Sequence, residues 1–109
     1  MTDNSLPFRA ETSAGDSLDI CFPLHPDTGD PDQVGRLIGA ILAAIESERT
    51  QSDASNGDVM QALTMALSIR AGMVYGHHEA VEKLTWQLLR SALDAVHYTD
   101  RRAPQIGHA

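Results

Sequence analysis

The sequence predicts a small α+β fold dominated by helix. An N-terminal β-hairpin is followed by three helices, the last two forming an antiparallel αα-hairpin, and the whole belongs to a dimeric helical bundle. Three observations lead there. Residues 6–22 alternate apolar and polar around a glycine-bearing loop, three later segments carry apolar residues at the helical period, and two Phe, two Tyr and one Trp in 109 residues leave a mainly aliphatic core. One domain of 6–98 is expected, after a disordered 1–5 and before a flexible tail of 99–109.

The hairpin reads as Leu6–Thr12 and Ser17–Phe22 around Ser13-Ala14-Gly15-Asp16, where the glycine supplies a positive φ. Leu18, Ile20 and Phe22 alternate with Asp19 and Cys21, so one face can be buried, with Phe8 and Ala10 beside it. Pro7 is acceptable only at an edge or a strand start. The segment Pro23-Leu24-His25-Pro26-Asp27-Thr28-Gly29 is turn chemistry.

Asp30 and Pro31 then open the first helix, with Gln33 placed for a capping box, and Val34, Leu37, Ile38, Ile41, Leu42 and Ile45 sustain it for about four turns. Gly35, Gly39 and Ala43, four apart, form a thin side where another backbone could approach. The polar stretch 46–56 is expected to end this helix, and its Ser-Asn-Gly-Asp to cap the next. The second helix should run from Asp58 to Tyr75, stop at Gly76, and be buried, because apolar residues cover all but Gln61, Thr64, Ser68 and Arg70. A chain this short can hardly encircle one of its own helices, so a second subunit is the economical cover. The third helix should span His77–Tyr98, with one apolar row of Val81, Leu84, Leu88, Ala92 and Ala95 and a second of Trp86, Leu89, Leu93 and Val96.

Composition narrows the function. A net charge of -7 opposes nucleic acid and anionic membranes, and the basic residues are scattered apart from the adjacent Arg101 and Arg102. The longest apolar run, Leu37–Ile45, is about half the length that crosses a bilayer. A single cysteine and a start without a basic region followed by an apolar stretch read as a cytoplasmic protein. Phosphate-binding, nucleophile-elbow and Cys-x-x-Cys motifs are absent, so no cofactor is expected.

Four chemical candidates remain. His78 and Glu82 share a helix face and could give half of a metal site completed by a symmetric neighbour, but solvated polar residues at a helix start explain them as well. Cys21 and His25 lack the second ligand pair of a structural zinc site, and Asp27, Asp30 and Asp32 lack the spacing of a calcium loop. Arg70 stands among apolar neighbours and must snorkel, find a carboxylate or hold an anion. These features favour a non-enzymatic, homo-oligomeric interaction or regulatory protein, a homodimer contacting through Met60, Met73, Trp86, Leu89 and Leu93. The alternatives are a metal-binding or metalloenzyme module on His78 and Glu82, and a helix-turn-helix DNA binder built from the second and third helices.

Overall fold

The computed structural model describes residues 5–12, 14–99 and 101–102. The order is β1 (Ser5–Glu11), β2 (Ser17–Pro23), α1 (Pro31–Ser52), α2 (Asn56–Gly72), α3 (His78–His97) and β3 (Arg101–Arg102). This is the α+β arrangement, mostly helical, with an antiparallel hairpin ahead of three helices. The chain divides into two compact units, Met1–Pro31 with Leu88–Ala109, and Asp32–Gln87.

In the first unit the hairpin register pairs Leu6 with Phe22, Phe8 with Ile20 and Ala10 with Leu18, so the alternating apolar residues share one face. Ile20 on that face is 7% exposed, the only described residue that is buried. Arg9 and Asp19 are paired on the other face, with Nε and Oδ1 3.3 Å apart. Gly15 takes φ +95 in the turn, and the Thr12 N–H donates to the Asp16 carbonyl at 2.8 Å. That bond makes 12 and 16 a hydrogen-bonded pair, so by strict alternation 7 and 21 are not one. Pro7, which has no N–H, therefore turns its backbone nitrogen to the open edge of β1, where its loss costs no ladder bond.

Two residues of the segment read as a tail form β3. Arg101 pairs with Leu18 and Arg102 with Ser17, which makes β2 the middle strand. So short a strand has no detectable alternation, and nothing in 99–109 announces it. Residues 1–4 and 103–109, which make up most of the two expected termini, lie outside the described residues.

In the second unit α1 continues seven residues past Ile45, through the stretch expected to end it. The extension carries an i,i+3 contact of the Arg49 guanidinium with Glu46 Oε1 at 3.5 Å, and the hydroxyls of Thr50 and Ser52 donate to the carbonyls of Ser47 and Glu48 at 2.8 Å, which satisfies these polar groups within the helix. Asp53, with φ +59, then supplies the left-handed stop, its N–H bonded to the Arg49 carbonyl at 2.9 Å.

The capping expectation for α2 holds at Ser55. Its hydroxyl accepts from the Asp58 N–H at 3.1 Å while the Asp58 carboxylate accepts from the Ser55 N–H at 3.2 Å. The C-terminal end falls short of the expected Tyr75 and Gly76. After Ala71 and Gly72 the N–H groups of Met73 and Val74 turn to carbonyls three residues back, at 3.1 Å each, which tightens and closes the last turn. Gly76 lies beyond it in the connection to α3, with φ +147.

The expected burial of α2 is not met within the chain: the helix has no buried residue. Within Asp32–Gln87 no two helices are laid closely along one another among the described residues, so nothing covers its apolar sides. The apolar composition that suggested burial is real, but a single copy of the unit offers no element to complete it.

Candidate functional site

Each helix half-buries one row of side chains and leaves a neighbouring apolar row open. On α1 the half-buried row is Val34, Ile38, Ile45 and Arg49, and Leu37 and Ile41 stand open beside it. On α3 the row of Val81, Thr85, Ala92 and Ala95 is half-buried, while Trp86, Leu89, Leu93 and Val96 are exposed. Of the two apolar rows that the sequence shows on α3, the first is half-buried only at Val81, Ala92 and Ala95, its Leu84 and Leu88 being exposed, and the second is exposed throughout.

The open row of α3 is spaced 3-4-3, the rhythm that keeps a seam on one side of a helix facing another helix. Trp86 is 65% exposed and Leu93 56%. Lys83, Gln87, Arg90 and Asp94 border it and lie opposite the half-buried row, with Arg90 Nη1 and Asp94 Oδ1 3.9 Å apart. A continuous apolar row edged by charged side chains is the pattern of a helix covered along one side.

On α2 the inward line is Val59, Leu63 and Ala71, and the apolar surface spreads to both sides of it. Leu67 lies on that same line, between Leu63 and Ala71, but is exposed, with Met60 beside it; Met65, Ile69 and Met73 lie on the opposite flank. Met60 and Met73 are 61% and 63% exposed, but thirteen residues at 100° each set them about 140° apart. One flat contact cannot cover both. Leu37, Ile41, Met65 and Ile69 are exposed apolar residues absent from the sequence-based interface; their periodicity is visible in the sequence, but not which of their neighbours turn inward.

Arg70 is exposed, so its guanidinium meets water directly and the cost anticipated for a charge among apolar neighbours does not arise. It has no ion-pair partner among the described residues. His78 and Glu82 do come together, with Nε2 and Oε1 3.6 Å apart, but their side chains are 89% and 59% exposed. No cluster of three or more His, Cys, Asp or Glu side chains suited to a metal occurs among the described residues. Cys21 is exposed on β2, and the His25 Nδ1 atom is occupied as acceptor for the Asp27 N–H at 3.0 Å. Among the described residues, no helix is long and apolar enough to cross a membrane.

The chain matches no protein-family model, and no curated protein or solved structure is significantly similar to it.

Proposed function

We propose that this chain is a non-enzymatic interaction or regulatory protein that works as a homodimer, its open helical rows covered by a second copy. The observation that carries this reading is the row Trp86-Leu89-Leu93-Val96: four apolar side chains at seam spacing, all exposed along one helix. Large apolar rows of this kind on a small chain mark contact surfaces, and closed two-fold pairing is the commonest way a chain covers its own. The antiparallel pairing of α2 with α3 that the sequence predicts belongs to the same reading, as packing that forms when two copies associate.

The test is size exclusion with light scattering on the wild type and on Leu93→Glu. The wild type is expected at twice the 11.8 kDa chain mass at micromolar concentration. The variant, which sets a charge in the seam, is expected to lose the dimer. A wild-type mass of one chain, or a Leu93→Glu protein that stays folded and dimeric, overturns the proposal.

A further inference from the structure

The open row of α3 is too small to hold a dimer by itself. A stable interface removes roughly 800 Å2 from each partner. A fully buried Leu-sized side chain contributes about 80 Å2 and a Trp about 200 Å2. At their observed exposures, Trp86, Leu89, Leu93 and Val96 supply roughly 250 Å2 on those figures. A second surface on each chain has to contribute, and α2 offers the largest one.

The flank of α2 that carries Met65, Ile69 and Met73, all more than half exposed, also carries Ala62 and Ala66. Two alanines four apart leave room for another backbone, and the methionines fit an irregular opposing surface. The helix has only two charged side chains. Asp58 stands in its first turn and Arg70 in its last, twelve residues or about 18 Å apart along the axis. Their midpoint is residue 64, between the two alanines.

Resting on the homodimer reading, we infer that α2 packs antiparallel against α2 of a second copy, across a two-fold axis near residue 64. In that arrangement each Arg70 stands beside the partner subunit's Asp58, and the positive end of each helix dipole meets the negative end of the other. A parallel pairing would set Asp58 against the same residue of the partner, Arg70 likewise, and like helix ends together. The arrangement supplies the carboxylate that Arg70 lacks among the described residues, and it selects the Met65 flank of α2 over the Met60 flank.

Disulfide trapping in a Cys21→Ser background tests it. Met65→Cys lies near the axis, within reach of its own copy. Ile69→Cys is displaced from its copy by about 15 Å along the helix, beyond the about 7 Å that a disulfide spans. Under diamide, most of the Met65→Cys protein is expected to run as a covalent dimer and the Ile69→Cys protein as a monomer. Trapping of both variants points to a parallel contact and overturns the inference. Trapping of neither, with light scattering still showing a dimer, also overturns it while leaving the homodimer standing. A monomer by light scattering removes the homodimer reading itself.

Discussion

Ser55 and Asp58 satisfy two backbone N–H groups at the start of α2 through a reciprocal pair of bonds near 3.1 and 3.2 Å. Ser55→Ala removes one of them and is expected to cost about 1 kcal/mol, read as a lower urea midpoint with unchanged slope. His78→Ala should move stability by less than about 0.5 kcal/mol, because its contact with Glu82 is held in water. A larger loss accompanied by release of a stoichiometric metal would restore the metal reading. Gly76→Ala is expected to destabilise by about 1 kcal/mol or more. The added methyl would meet only Val81 Cγ2, at 3.7 Å, but φ +147 is a conformation that a side chain strains to adopt. At this scale the sequence is most legible where chemistry is local: the Ser55 cap and the Gly15 turn follow from residue types a few positions apart. Arg70 is less so, because whether a cation sits buried or in water depends on what lies over its helix.

The elements themselves were readable to within a few residues, with instructive exceptions. Hairpin register follows from a period-two pattern with one apolar face, and β2 keeps that pattern from Ser17 to Pro23. The end of α1 lies beyond the one the sequence predicts because polar Glu46–Ser52 is helical; the stop is set by Asp53 in the left-handed region and not by loss of apolar residues. The apolar rows were visible, but ranking them requires knowing which side of each helix faces its own chain. The Gly35, Gly39 and Ala43 side of α1 yields a prediction of its own. A Cβ added at Gly39 meets nothing within 4 Å, so Gly39→Ala should stabilise the helix by about 0.5–1 kcal/mol, measured by thermal or urea unfolding. Destabilisation instead would mean that another backbone lies against that side in the assembled protein.

At the scale of the whole molecule, the proposed homodimer completes its core only when a second copy joins. Ile20 is the one buried residue among those described, while Trp86, Leu93, Met65, Ile69 and Met73 remain mostly in water. Folding and association should then be one process, with little stable folded monomer. Unfolding by urea at two protein concentrations a hundredfold apart tests this most directly. A folded dimer that unfolds to two chains gains about 2.7 kcal/mol over that range from mass action, so its midpoint should rise by about 1–2 M at the usual slope for a small protein. A midpoint that stays the same at both concentrations would contradict the account, because a chain that unfolds independently of its copies has its whole core within itself.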